Sequence, residues 1–104
     1  MKTVGSHNYY VYITTNKNKT VLYIGVTNHL KARMMKHENN SKEFRHKSFA
    51  GKYNAIYLLY YEYYEWIDQA IRREKELKGW TRAKKEALIN SVNADWNFLN
   101  EELD

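Results

Sequence analysis

The chain has 104 residues, 43% hydrophobic, 15% aromatic and 28% charged, a content too apolar for a disordered chain and sized for one domain with one modest core. It has no cysteine, which excludes disulfides, zinc-thiolate sites and thiol nucleophiles. Its net charge of +5 is lopsided: residues 1–53 hold ten Lys or Arg against two carboxylates, and residues 54–104 hold seven against ten. A basic first half suits a polyanion such as nucleic acid. No apolar run is long enough to span a membrane, and Met1 to His7 lacks the apolar stretch of a signal peptide, so a cytoplasmic location is expected.

Tyr9 to Thr15 is β-branched and aromatic and reads as a strand. Asn16 to Lys19 reads as a turn and Thr20 to Val26 as a second strand, giving an antiparallel hairpin. Thr27 or Asn28 can cap a helix running to about Glu38, with Leu30, Met34 and His37 on one side. Asn39 to Asn54 is polar and basic and reads as a loop, with room for a short helix. Ala55 to Tyr63 is apolar on both faces until Glu62, which predicts a buried central strand. Glu65 to Lys78 has helical spacing at Ile67, Ala70, Ile71 and Leu77, and Gly79 ends it. Arg82 to Ser91 predicts a last helix, with Ala83, Ala87 and Leu88 inward. In the acidic tail, Trp96, Phe98 and Leu99 are the expected packing residues. The order is β-β-α-β-α-α, an α/β fold with a small, three-stranded, mostly antiparallel sheet flanked by helices. A single domain is expected, with a core of Val11, Ile13, Leu22, Ile24, Leu58, Ile67, Ile71 and Leu88.

A four-residue turn sets Thr15 opposite Thr20 and therefore Tyr12 opposite Tyr23. Val11, Ile13, Leu22, Ile24 and Val26 then share the core face, while Tyr10, Tyr12, Tyr23 and Gly25 share the other. Two phenols side by side stabilise a hairpin, but here they adjoin a glycine that permits close approach. Arg33 and His37, four apart, share the helix face that can overlook the tyrosines. In the Glu65–Lys78 helix the stripe Ile67, Ile71 continues to position 74, which is Glu74. A carboxylate on the edge of a buried stripe calls for an ion-pair partner, such as Arg72, Arg73 or Arg33, or for a bound cation.

These pieces resemble the GIY-YIG nuclease family. Tyr10-Val11-Tyr12 stands at its Gly-Ile-Tyr and Tyr23-Ile24-Gly25 is its Tyr-Ile-Gly intact. Arg33 fills the family's Arg eight residues beyond that Gly, His37 its His, Glu74 its metal-binding Glu, and Asn93 (with Asn90 as rival) its Asn. The stretch Arg73 to Lys85 followed by Leu88-Ile89 is similar to the small stand-alone bacterial subgroup. Tyr10 replaces the first Gly, Ala94 stands where Pro is usual, and Val26-Thr27 departs from a Lys or Thr position.

The resemblance, which spans about residues 8–97, implies phosphodiester hydrolysis with one divalent ion, Mg²⁺ or Mn²⁺, held by Glu74. It also implies Tyr12 as general base with Tyr23 as alternate, Arg33 and His37 at the phosphate, and Gly25 and Asn93 as structural or phosphate-orienting residues. Lys31, Lys36, Lys42, Arg45, Lys47 and Lys52 would track the nucleic-acid backbone. The expected partner is nucleic acid, DNA ahead of RNA, for a monomer or weak homodimer with no membrane association. Two other readings are a binding module of the same fold that cleaves little, and a protein-interaction domain using Tyr57, Tyr60, Tyr61, Tyr63 and Tyr64.

Overall fold

The computed structural model of the protein describes the backbone of residues 8–43 and 55–103, and the side chains of residues 8–36 and 55–103. In chain order the elements are β1 (Tyr9–Thr15), β2 (Leu22–Thr27), α1 (Leu30–Glu43), β3 (Tyr57–Tyr64), α2 (Ile67–Lys78), α3 (Arg82–Val92) and a 3₁₀ turn (Asn100–Glu102). This is the expected α/β order. All pairings are antiparallel, but the strand order is β2-β1-β3, so β1 is central and β3, expected in the middle, lies at an edge.

The apolar character of β3 has another cause. Its outer edge is covered by the tail: Leu99 N–H donates to the Leu58 carbonyl at 2.8 Å, and the Asn100 amide brackets the chain next to it. Asn100 Oδ1 accepts from Leu58 N–H at 2.7 Å, and its Nδ2 donates to the Ile56 carbonyl at 2.9 Å. A side-chain amide thus stands in for a neighbouring strand, satisfying backbone groups that an open edge would leave exposed.

The hairpin differs from expectation by two residues. Its loop runs from Asn16 to Val21, setting Thr15 opposite Leu22, Ile13 opposite Ile24 and Tyr12 opposite Gly25. Because side chains alternate with period two, the faces stay as predicted. The longer loop is held by Asn16 Oδ1, which accepts from the Thr20 and Val21 N–H groups, and by Lys19 in the left-handed region at φ 61°. Arg82 of α3 then donates to the Lys19 and Thr20 carbonyls at 3.0 and 2.9 Å.

Two clusters fill the layers on either side of the sheet. Val11, Ile13, Ile24, Leu59 and Tyr60 pack with Ala70, Leu77 and Ile89 of α2 and α3, with Leu22, Leu88, Trp80 and Trp96 against them. On the other face Tyr12 and Leu58 pack with Leu30 and Met34 of α1, with Tyr10, Tyr23, Leu99 and Leu103 alongside. A β-bulge between Ile13 and Thr14 lets Leu59 and Tyr60, adjacent on β3, join the first cluster.

The expected core needs correcting on the helices. Ile67 and Ile71 are exposed (46% and 36%), while Ala70 and Leu77 are buried. The smaller Ala70 lets α2 lie close to the sheet, which turns the two isoleucines outward. On α3 the buried residue is Ile89, with Leu88 half-buried and Ala83 and Ala87 exposed. α1 extends past Glu38 to Glu43 and begins after His29, whose Nδ1 accepts from Ala32 N–H at 3.2 Å. Thr27 Oγ1, one of the expected caps, instead accepts from His29 N–H at 3.1 Å. In the tail, Trp96 and Leu99 pack on the two clusters, while Phe98 stacks on Tyr57 at 4.3 Å and stays exposed.

Asn93 ties α3 to the bulge. Its Nδ2 donates to the Leu59 and Asn97 carbonyls at 2.9 and 3.0 Å, and its Oδ1 accepts from Asn97 N–H at 3.0 Å. Asn93→Ala leaves the buried Leu59 carbonyl without its donor and should cost about 1–3 kcal/mol. A urea denaturation midpoint equal to wild type would show that water replaces the amide.

Candidate active site

The site draws on β1, β2, α1 and α2 around Tyr12. Tyr12 lies across Gly25, its cross-strand neighbour: a Cβ added at Gly25 would sit 3.1 Å from Tyr12 Cε1 and closer still to Cζ and the hydroxyl. The missing side chain at position 25 is therefore the space that holds the phenol. The ring is fully buried and stands 6.3 Å, centroid to centroid, from the Tyr23 ring at a 44° tilt. Gly25→Ala should therefore cost about 1–3 kcal/mol through overpacking. Pairing it with Tyr12→Leu should recover part of that loss in a double-mutant cycle. Strictly additive melting shifts would mean that the two positions do not press on each other.

Three further side chains act on the Tyr12 phenol. Burial pushes its pKa well above the ordinary range, and the neighbouring Tyr23 and Glu74 push it the same way. Arg33, on the first turn of α1, opposes them through its charge and a hydrogen bond to the phenol oxygen. Tyr12, Tyr23, Arg33 and Glu74, drawn from β1, β2, α1 and α2, thus form one electrostatic neighbourhood. Tyr12 keeps its proton there, since burial outweighs the single guanidinium.

Glu74 is half-buried, its side chain 17% exposed, and pairs with Lys78 one turn on, Oε2 to Nζ 3.3 Å. The partner is therefore Lys78 rather than the expected Arg72, Arg73 or Arg33. Arg72 pairs with Asp68 at the surface, and Arg73 is taken up by Glu62 and Glu76. Tyr23 is half-buried and, with Leu22, Ile24, Lys78 and Lys85, lines a shallow depression of about 290 Å³.

Residues 8–87 match the GIY-YIG catalytic domain. The chain belongs to the GIY-YIG family. It is similar to a UPF0213 protein of Bacillus pumilus (strain SAFR-032), 30% identical over 95 residues that cover 91% of this chain and 92% of the relative. It is also similar to the solution NMR structure of a UPF0213 protein from Bacillus halodurans, with a TM-score of 0.52 and 28% identity. That match covers 86% of this chain and 89% of the other. GIY-YIG domains form a nuclease family that acts on nucleic acid and generally uses a divalent metal.

The donor set here fits such an ion in one way. Among the described residues no three His, Cys, Asp or Glu side chains cluster, and Glu74 is the carboxylate that lies by Tyr12. Its Oε2 already faces a cation, the Lys78 ammonium. One hard oxygen donor suits Mg²⁺ or Mn²⁺, which keep most of their waters and take phosphate oxygens.

Of the remaining predicted site residues, Gly25 belongs to this neighbourhood, and Lys31, Lys36 and Asn93 are the others whose side chains are described. Lys31 and Lys36 are exposed on α1, and Lys31 borders a different depression, shared with Tyr10, His29 and Glu102. Asn93 sits by β3, its amide spent on backbone groups. His37 and Lys42 are on α1 with side chains outside the described residues, and Arg45, Lys47 and Lys52 lie outside them altogether. No helix among the described residues is long and apolar enough to cross a membrane.

Sequence reasoning passed over Lys78 and Lys85. The i, i+4 spacing of Glu74 and Lys78 was the available signal. It also passed over Glu62, which accepts from Arg73 Nε and Nη2 at 2.9 Å each and from the Tyr60 and Tyr64 hydroxyls. Those two tyrosines, candidates for an interaction surface, spend their hydroxyls inside the fold, and the Tyr63 hydroxyl donates to Asn8 Oδ1 at 2.9 Å.

Proposed function

We propose that the chain is a metal-dependent endonuclease that hydrolyses phosphodiester bonds, with DNA as its substrate. The observation that carries this reading is the shared neighbourhood of Tyr12, Tyr23, Arg33 and Glu74. The two phenols also pack in the cluster under α1, but packing alone does not call for a guanidinium and a half-buried carboxylate beside them.

Glu74 is the residue that would hold Mg²⁺ or Mn²⁺. When bound there, the ion supplies positive charge at the phosphate and at the departing oxygen. Arg33 neutralises charge that develops on the phosphate oxygens. Water attacks phosphorus, the P–O3′ bond breaks, the departing O3′ takes a proton from solvent, and the products are a 5′-phosphate and a 3′-hydroxyl.

The proton of the attacking water goes to Tyr23 rather than to Tyr12, the base that the family resemblance favours. Tyr12 has no contact with solvent, and burial holds its proton in place. Tyr23 lines the depression, where water reaches it. A phenol takes the water's proton only as its phenolate, a form that nearby positive charge favours, and Lys78 and Lys85 border the same depression. Tyr12 is then a positioning residue, wedged over Gly25 and holding Arg33. Tyr23→Phe should lower kcat and remove the rise of rate with pH that ionisation of a base produces, whereas Tyr12→Phe should keep that rise. The reverse pattern would return the base role to Tyr12.

The test of the whole reading is cleavage of labelled single- and double-stranded DNA and RNA by purified protein, with Mg²⁺, Mn²⁺ or EDTA. Metal-dependent internal cleavage of DNA is expected. Binding with no cleavage under any metal would leave a nucleic-acid-binding module instead.

A further inference from the structure

We propose that Lys78 and Lys85 form a subsite for a nucleic-acid backbone phosphate at the edge of β2, adjoining the phosphate handled by Tyr23 and Glu74. The placement beside a scissile phosphate rests on the nuclease reading; the subsite itself rests on the following geometry.

β2 is an edge strand, and the depression along it has Leu22, Tyr23 and Ile24 on the strand side. On the helix side are Lys78, the last residue of α2, and Lys85, on the first turn of α3. Seven positions apart in sequence and on two helices, the two lysines border one depression across the turn at Gly79-Trp80. Among the described residues no carboxylate lines the depression, although Glu74 pairs with Lys78 beside it. Three larger ones each carry an acid from the tail: Glu102 beside Tyr10 and His29, Glu102 again beside Asn93, and Glu101 beside Tyr57. Lys31 offsets the acid in the first, but the other two have no cation among the described residues that line them, so a polyanion is repelled at those two and attracted along β2.

The neighbouring cations have other tasks. Arg82 is engaged by the Lys19 and Thr20 carbonyls and by Glu86 at 2.7 Å. Lys84 lies over the Trp80 ring at 4.5 Å. Lys85 has no ion-pair partner among the described residues, and Lys78 has only the Glu74 contact on its own helix. Leu22 and Ile24 supply the apolar wall that a sugar face packs against, while two ammonium groups, as mobile point charges, take phosphate without demanding a base sequence. The predicted DNA-tracking residues on α1 are thereby joined by a second basic contact, one that shares its depression with Tyr23.

The test is binding of short single- and double-stranded DNA in EDTA, where no cleavage intervenes, followed by anisotropy across a salt series. Wild type is compared with Lys78→Gln, Lys85→Gln, the double variant, Lys85→Arg, and Lys17→Gln as an exposed control on the hairpin loop. Each lost phosphate contact should reduce the slope of log K against log salt by about 0.9 on duplex DNA. The double variant should therefore lose nearly two in slope and about tenfold or more in low-salt affinity. Lys85→Arg should keep both, and the control should match wild type. A double variant with wild-type slope and affinity, or a wild type that binds no DNA at low salt, overturns the subsite. Melting curves confirm that each variant folds, and the single variants carry the test if the double does not. Cleavage with Mn²⁺ is scored separately: a slope loss without cleavage keeps the subsite and refutes the nuclease, and cleavage without slope loss does the opposite.

Discussion

Glu74→Gln should abolish cleavage while leaving DNA binding intact or slightly tighter. The amide keeps the size of the side chain but not the negative charge that attracts a divalent ion. Losing an ion's charge at the phosphate removes several kcal/mol of transition-state stabilisation, on the order of 10³-fold in rate. Binding survives because the basic contacts remain and one acid fewer faces the phosphates. Stability should change little. The pair that is lost, Glu74 with Lys78, is an i, i+4 contact whose lysine side chain is 55% exposed, worth about 0.3–0.5 kcal/mol. A neutral amide in that half-buried position is also cheaper than a carboxylate. Mn²⁺ should raise the melting temperature of wild type and leave that of the variant unmoved, because only wild type binds the ion in its folded state. If Glu74 merely holds Lys78, the variant should instead cleave at the wild-type rate and melt alike with and without metal.

How far the sequence was legible depends on the range of the interactions involved. The two faces of the hairpin follow from alternation alone, so Val11, Ile13 and Ile24 fall in one layer and Tyr12 in the other even though the predicted pairing is two residues out. The register itself depends on a six-residue loop fastened by Arg82, more than sixty positions away, through backbone carbonyls. No local pattern encodes that contact. The same holds for β3. Its apolar run is what a central strand carries, but the second flank comes from Leu99 and Asn100 in the tail rather than from a strand.

On α2 the mistake has a chemical origin. Large β-branched residues at 67 and 71 outweigh a single alanine in any hydrophobic count, yet it is Ala70 that lets the helix approach the sheet, with Leu77 two turns on. That rotation leaves Glu74 half-buried, as its sequence position suggests, but for the reason that it borders the Ala70–Leu77 face. The neighbourhood of Tyr12, Tyr23, Arg33 and Glu74 was legible because each sits at a fixed spacing on its own element, whereas Asn93, drawn from the same motif, spends its amide on backbone groups. Lys78 and Lys85 were not legible, because only the turn between two helices sets them at one depression.

Glu62→Ala should be among the most damaging single changes in the chain, although Glu62 lies outside the proposed site. Its carboxylate accepts from Arg73 Nε and Nη2 and from the hydroxyls of Tyr60 and Tyr64. Both charged side chains are mostly covered, Arg73 21% and Glu62 16% exposed. Deleting the acid leaves a half-buried guanidinium, with Glu76 and the face of Trp80 as its remaining partners, and two phenols without their acceptor. Removing one partner of a fully buried pair costs about 3–5 kcal/mol; residual solvent access here lowers the expectation to about 2–4 kcal/mol. Glu62→Leu with Arg73→Met should recover much of the loss, since no orphaned charge then remains. The acid limb of stability supplies a second readout. Burial raises the Glu62 carboxyl, but the hydrogen bonds from Arg73, Tyr60 and Tyr64 outweigh it and hold the pKa below the ordinary 4.5. A depressed folded-state pKa means that the native state binds fewer protons than the unfolded chain. The contribution is therefore complete above the ordinary value and lost as pH falls through the folded one. Wild type should lose more stability than Glu62→Ala between about pH 6 and about pH 3. Parallel acid limbs for the two proteins would show that the Arg73 contact contributes no net stability, and would leave the anchoring of α2 to Ala70 and Leu77 alone.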